Sequence, residues 1–409
     1  MTLRQKIEKE IRKHGPIHFS RYMELCLYDP ELGYYSRNAE QFGKAGDFYT
    51  SSDVHAVFGR LLARQFEEIW RLLGSPEQIE ILELGPGRGL FAQDVLDWSE
   101  KKFPEFFRTL HYSLEESSPA LRDRVQSILR TRFDSGKVSL SARSVHAQPR
   151  WLKPASPESA CGTAEVVPNR ISAERALAPE IPIIVFANEF FDALPVEVLS
   201  SQGELFISEK DGQLLETWHS SSDEALEFLD RYGVHPTAGE RVEAPLIAQR
   251  YLSQVAAAVD CGIIVTIDYG YTRQEQLAGG HRGTIAAYRQ HSVSANPYEA
   301  PGDQDITAHV NFTALAAALE QGGMQVQPLV NQSQFLMGIG EHNQFADAFE
   351  DCRLPQEHAK VALQLKHLVT PAGVGETFHV LIGSKGINQE SMAGLSGLTF
   401  GKTKPQPTT

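Results

Sequence analysis

Short strand-like runs recur along this chain and constrain its fold more than any other feature: QIEILEL (78–84), HYSLEE (111–116), KVSLSA (137–142), IPIIVFAN (181–188) and GIIVTID (262–268). Several are apolar along nearly their whole length and bounded by turn signals. That is the pattern of a strand covered by helices on both faces. Helical stretches follow the first two runs, from Gly89 and from Ser118 to about Arg132. Strands alternating with helices imply right-handed crossovers and one open, mainly parallel sheet. The predicted fold class is therefore α/β and doubly wound. Two later runs, GMQVQPLV (323–330) and FHVLIGS (378–384), add an antiparallel edge.

The remaining segments suggest how the chain is organised. Residues 3–14 read as an amphipathic helix stopped by Gly15-Pro16. An aromatic-rich stretch and the loop FGKAGDFYTSSD follow, with Ser51, Ser52 and Asp53 as N-cap residues for the next helix. In that helix Val57, Phe58, Leu61, Leu62, Ile69, Trp70 and Leu73 recur at helical spacing. Residues 147–180 mix proline, serine and charge and read as a long loop. ELFISEKDGQLLETW reads as a hairpin turning at Asp211-Gly212. The expected division is an N-terminal helical segment and lid loop (1–53), a Rossmann-like core (54–195, 259–331 and 373–385), an inserted substrate or partner subdomain (196–258 and 332–372) and a flexible tail (386–409).

Composition narrows the partners. The formal charge of -14 over 409 residues would repel a polyphosphate, so nucleic acid is not expected; a basic polypeptide suits the chain better. The cysteines, Cys26, Cys161, Cys261 and Cys352, are far apart, which predicts neither a metal cage nor a disulfide framework. No apolar run approaches the roughly 20 residues of a membrane helix. The start, MTLRQKIEKEI, lacks the apolar run of a secretory signal, so a cytoplasmic protein is the expectation.

The strongest local signal is ILELGPGRGLF. Glu83 stands near the end of an apolar strand, and Gly85, Pro86, Gly87 and Gly89 carry the chain into a helix. The backbone must turn sharply there while approaching a ligand closely, and a Cβ would obstruct both. The helix start then presents unpaired N–H groups. A dinucleotide fingerprint needs a small residue at position 90, where this chain has Leu90. An acidic residue followed by G-x-G-x-G resembles instead the pattern of class I methyltransferases, and it implies S-adenosyl-L-methionine as cofactor, with Glu83 ordering the methionine amino group. The second strand ends in Glu115-Glu116, where a carboxylate can accept both ribose hydroxyls; Glu116 is preferred.

The fourth strand ends in ANEFFDALP (187–195). Asn188, Glu189 and Asp192 gather one amide and two carboxylates beside Phe190 and Phe191, a set suited to a guanidinium or ammonium. Adenine methyltransferases carry prolines where Glu189 and Phe190 stand, which makes base methylation the runner-up. Asp268 closes the fifth strand, and PGDQDITAHVNF (301–312) brings Asp303, Asp305 and His309 before a helix. Glu189, Asp192 and His309 are the candidate catalytic residues. An arginine nitrogen is a poor nucleophile while protonated, so carboxylates that localise its charge and take its proton answer the chemical need.

Taken in order, HFSRYMELCLYDPELGYYS, GDFYTSSDVHAVFG, LELGPGRGLF, ANEFFDALPVE, IDYGYT, GTIAAYRQH and PGDQDITAHVNF resemble the MidA-like family, that of the mitochondrial complex I assembly arginine methyltransferase and its bacterial relatives. The resemblance implies methylation of an arginine on a protein, for the mitochondrial members a respiratory complex I subunit. Carried over by position, Gly85, Gly87 and Glu116 would hold the cofactor. Gly46, Asp47, Phe48 and Thr50 of GDFYT would close over it, and Asn188 to Asp192 would face cofactor and substrate. The segment Pro154–Pro179 is longer than the family's usual link, and the missing presequence suggests a bacterial, cytoplasmic member. Two other functions compete: a non-catalytic cofactor-binding assembly factor, and a small-molecule methyltransferase.

Overall fold

The computed structural model describes residues 1–36, 56–141, 181–289, 292–294 and 296–401. Its main sheet is built from six principal strands: β1 (Ile79–Leu84), β2 (Leu110–Glu115), β3 (Val138–Ser141), β4 (Ile183–Asn188), β5 (Gly262–Tyr271) and β6 (Phe378–Lys385). They lie in the order β3-β2-β1-β4-β5-β6. All neighbours are parallel except β6, which runs antiparallel to β5 and pairs on its other side with Gln325–Val326 and Val330–Asn331. The chain winds outward from β1 to β3, then restarts at β4 and winds the other way. This doubly wound order puts a topological switch point between β1 and β4, and crevices at such points lie outside the carboxyl ends of the strands.

Alternation along each strand fills two layers. Ile79, Ile81, Tyr112, Ile184, Phe186, Ile263 and Val265 face one cluster, which the helices α1 (Ala56–Leu72) and α2 (Leu90–Lys102) cover with Phe58, Phe66, Phe91 and Val95. Leu82, Leu84, Val185, Ala187 and Ile264 face the other, covered by the helices Leu246–Ala258 and Phe312–Gln321. Both faces of the central strands are thus buried, as their uninterrupted apolar sequences required.

A smaller antiparallel sheet, including Glu197–Ser200, Gly203–Lys210, Gln213–His219 and Arg241–Ala244, stands beside this core. Its hairpin turns at Asp211 and Gly212, both with positive φ, so that Lys210 faces Gln213. The helices Leu3–His14 and Phe19–Tyr28 pack on this sheet through Ile7, Phe19, Met23, Leu205 and Ile207. Gly15 ends the first helix, its N–H returning to the Ile11 carbonyl.

Two segments differ from expectation. Residues 332–372 do not join 196–258: Phe335, Leu336, Ile339 and Leu368 are buried in the cluster under α1 and form part of the main helical layer. Nor is the described part of the tail, 386–401, loose. Met392, Leu395 and Leu398 are buried, and Gly397 donates its N–H to Gln65 Oε1 at 3.0 Å. Three apolar side chains in a mostly small, polar stretch suffice to dock it. The caps foreseen at Ser51, Ser52 and Asp53, and the whole 147–180 loop, lie outside the described residues. No helix among the described residues is long and apolar enough to cross a membrane.

Candidate functional site

The glycine turn sits at the end of β1, on one side of the switch point. Gly85, Gly87 and Gly89 all have positive φ, and Gly89 is the left-handed N-cap of α2. The Gly85 N–H donates to the Glu115 carbonyl at 3.0 Å, which fixes the turn to β2. The Gly89 N–H closes on the Pro86 carbonyl at 2.8 Å. A Cβ on Gly85 would strike the Phe190 ring at 2.8 Å, whereas one on Gly87 would meet no atom within 4 Å. The space beside Gly87 is open, and a larger side chain would take up room that a ligand could use.

Three carboxylates stand on the strand ends beside this turn. Glu116 follows β2 directly and is buried; its Oε1 accepts the Ser118 N–H at 2.8 Å. Burial pushes its carboxyl up to about 7, against the pull of the Ser118 N–H, Arg122 and the backbone N–H groups of Ser117 and Gly87. Glu116 therefore lies against the glycine loop. Glu115 points elsewhere, and its Oε1 takes the Tyr251 hydroxyl at 3.3 Å. Glu83 is buried beneath the turn and accepts the Tyr112 hydroxyl at 2.8 Å. Burial raises it to about 8, with the charge of Glu116 adding to the shift.

Across the switch point, β4 delivers the 188–192 loop. Asn188 donates to Glu189 Oε1 at 3.1 Å, while its own Oδ1 is buried with no hydrogen-bond partner. Glu189 takes a left-handed φ of 50°, an unfavourable conformation for a residue with a Cβ. The restraint comes from β5. Asp268 Oδ2 accepts the N–H groups of Phe190, Phe191 and Asp192 at 3.2, 3.0 and 3.4 Å, and Oδ1 accepts that of Tyr269 at 2.9 Å. Burial raises Asp268 well above the usual carboxylate range, and Asp192 and Glu189 add to it. Asp192 is held in turn by the Tyr269 hydroxyl at 2.6 Å, and burial lifts it to about 6. Phe191 is a core side chain, whereas the half-buried Phe190 lies over Gly85 and 5.6 Å from the Tyr251 ring.

The N-terminal segment also reaches these groups. Tyr28 donates to the Ala193 carbonyl at 2.9 Å, and Tyr35 to Asp305 Oδ1 at 2.8 Å. Ser118, the N-cap after Glu116, donates to the Tyr35 carbonyl at 2.6 Å. The sequence reading named Asp268 and Asp305 without giving them roles, and it missed Tyr28, Tyr35 and Tyr269. The density of tyrosine in YDPELGYYS and DYGY was the available signal. His309 is set further back. Its ring packs edge-on to Tyr269 at 5.4 Å, and its Nδ1 meets His281 Nδ1 at 3.0 Å. Burial and His281 lower it to about 4, so it is neutral at pH 7. Gly46, Asp47, Phe48 and Thr50 lie outside the described residues. The one group among the described residues with metal-ligand spacing, His18, Glu197 and Glu204, belongs to the smaller sheet.

Comparisons with known proteins agree with this fold. The family described as "Putative S-adenosyl-L-methionine-dependent methyltransferase" matches residues 61–330. A mitochondrial protein arginine methyltransferase of Danio rerio is 30% identical over 91% of this chain and 86% of its own. Its Drosophila melanogaster homologue is 29% identical over 94% of this chain and 85% of its own. A Burkholderia thailandensis protein solved with bound S-adenosyl-homocysteine superposes with a TM-score of 0.75 at 26% identity, covering 96% of this chain and 94% of that one.

Proposed function

This chain belongs to that family of S-adenosyl-L-methionine-dependent methyltransferases, and we propose that it methylates an arginine side chain of a protein. The observation that carries the proposal is the meeting, at one switch point, of a glycine cradle backed by Glu116 with a loop of carboxylates. The cradle fits the cofactor: the space beside Gly87 would take a ligand, and the buried, unpartnered Oδ1 of Asn188 wants a donor. In this reading Gly85, Pro86, Gly87, Gly89, Glu83, Glu116 and Asn188 hold the cofactor, with the GDFYT loop closing over it.

Bound there, S-adenosyl-L-methionine supplies an electrophilic methyl group on a sulfonium. The protein's task is to hold a guanidinium nitrogen against it and to dispose of the proton. Asp192, raised by burial, is basic enough to hold a proton at its carboxylate oxygen. Glu189 stands beside it on the strained turn that Asp268 keeps in place, and both carboxylates draw the guanidinium charge away from the reacting nitrogen. His309, neutral and edge-on to Tyr269, is the second proton acceptor of the proposal.

The smaller sheet with its N-terminal helices is the proposed face for the protein partner, a subunit of a respiratory complex by family resemblance. The test is to incubate the protein with methyl-labelled S-adenosyl-L-methionine and a cell lysate, and to map the label by mass spectrometry. Methylarginine in a protein is the expected product. Label confined to small molecules would overturn the arginine reading.

A further inference from the structure

Resting on that arginine reading, we infer that Asp192 and Asp305 together form the pocket for the substrate guanidinium, with Tyr28 and Tyr35 as its aromatic wall. Asp192 is 6% exposed; Oδ2 takes the Tyr269 hydroxyl, but Oδ1 is buried without a hydrogen-bond partner. A buried carboxylate oxygen left without a donor is costly, and a ligand that supplies one removes the cost. Asp305 is 1% exposed and opens the strand Asp305–Thr307, which pairs with Ala286–Arg289 so that Asp305 faces Tyr288.

These two carboxylates come from distant parts of the chain but share one neighbourhood: the N–H of Ala308, the residue after the strand that Asp305 opens, donates to the Asp192 carbonyl at 2.9 Å. The charges of both bear on the hydroxyls of Tyr28, Tyr35 and Tyr288 and resist the ionisation of each. The charge of Glu116 also reaches Tyr28, so the pocket adjoins the glycine crevice. The Tyr28 and Tyr35 rings stand 5.5 Å apart and tilted by 33°, with the Tyr35 hydroxyl on Asp305. Asp268 is not a third member, because four backbone N–H groups already occupy its oxygens.

The chemistry selects among cations. A guanidinium is planar, carries five N–H donors in a fixed fork and stacks on rings, so it can bridge two carboxylates while lying on tyrosine. An ammonium is a strongly hydrated point charge with no plane to stack. Two acids set against an aromatic wall therefore favour arginine over lysine.

The pocket can be probed without a protein substrate. The full chain, saturated with S-adenosylhomocysteine, is titrated with ethylguanidinium or n-butylammonium and followed by saturation-transfer NMR. Ethylguanidinium should bind roughly tenfold more tightly than n-butylammonium. Asp305→Asn should abolish that preference while S-adenosylhomocysteine affinity stays within about twofold. Asp192→Asn serves as the second variant should Asp305→Asn misfold. Equal binding of the two cations, or undiminished ethylguanidinium binding in a variant that still takes up S-adenosylhomocysteine, overturns the pocket. A wild-type chain that binds guanidinium as expected but labels no protein arginine breaks the wider reading and leaves the pocket standing.

Discussion

Carboxylates are treated in two opposite ways in this molecule. On the outer helices they meet cations: Arg60 and Lys101 hold Asp351 at 2.7 and 2.6 Å, and Arg132 holds Asp97 and Glu100 at 2.8 and 2.6 Å. Those acids sit below the usual carboxylate range where a shift is resolved, as at Glu100 and Asp351. At the strand ends Glu83, Asp192 and Asp268 are buried and held by tyrosine hydroxyls and backbone N–H groups, and all are raised. Exposed pairs contribute little to stability, and buried uncompensated acids detract from it. The crevice therefore spends folding free energy on acids whose ionisation burial resists, which makes sense where a cationic ligand completes the site.

The strongest way to break this contrast is to fill the crevice from the backbone side. Gly87→Val puts a β-branched residue at a φ of 53° and a side chain into the cradle. Strain of about 1–2 kcal/mol adds to the lost space. Calorimetric affinity for S-adenosylhomocysteine should fall by roughly a hundredfold or more, with the fold intact by circular dichroism. Unchanged affinity would show that the ligand does not lie on this turn. Next in size is Glu116→Gln, which keeps shape and removes charge. Charge-assisted hydrogen bonds of about 1.5–3 kcal/mol predict a roughly ten- to hundredfold loss in the same titration. The same change at Glu100 should leave affinity alone.

How much of this was legible in the sequence follows from where the information is local. The strands of the main sheet and the glycine turn were readable because burial on both faces leaves continuous apolar runs, and a positive-φ turn leaves glycines. The hairpin at Asp211-Gly212 was readable for the same reason. The docking of Met392, Leu395 and Leu398 was not, because three apolar residues among small polar ones carry no periodicity. In the crevice the 188–192 string announced itself by composition. Its support did not: Asp268 lies 76 residues beyond Asp192, and Tyr28 and Tyr35 come from a segment that nothing in the sequence ties to β4. Contacts made only by the winding of the sheet leave no mark on spacing.

Asp268 sharpens the contrast because its acid binds backbone instead of ligand. Asp268→Asn leaves one acceptor oxygen where two serve four N–H groups, costing about 1–3 kcal/mol of local order. The 188–192 loop should lose its left-handed turn at Glu189. Methyl-transfer turnover should then fall roughly tenfold while S-adenosylhomocysteine affinity changes little, the split expected of a positioning residue. A parallel loss of affinity would place Asp268 in the cofactor site itself.

The smallest expected effect tests the charge contrast most directly, because it concerns the free protein. In the unfolded chain Glu83 releases its proton near its ordinary value of 4.5, but in the fold it holds it to about 8. Between those limits the folded state binds more protons than the unfolded one, so stability falls as pH rises through that window. Glu83→Gln keeps an acceptor for the Tyr112 hydroxyl and removes the titration. Its melting temperature should match the parent at pH 5 and exceed it by a few degrees, roughly 2–4 °C, at pH 8.5. At the surface the sign reverses. Arg132 holds Glu100 below its ordinary value, so Glu100→Gln should lower the melting temperature slightly at neutral pH and approach the parent as acid protonates the carboxylate. If both variants gave pH-independent differences, burial at the strand ends would not be raising these acids, and the crevice would have no more need of a cation than the outer helices do.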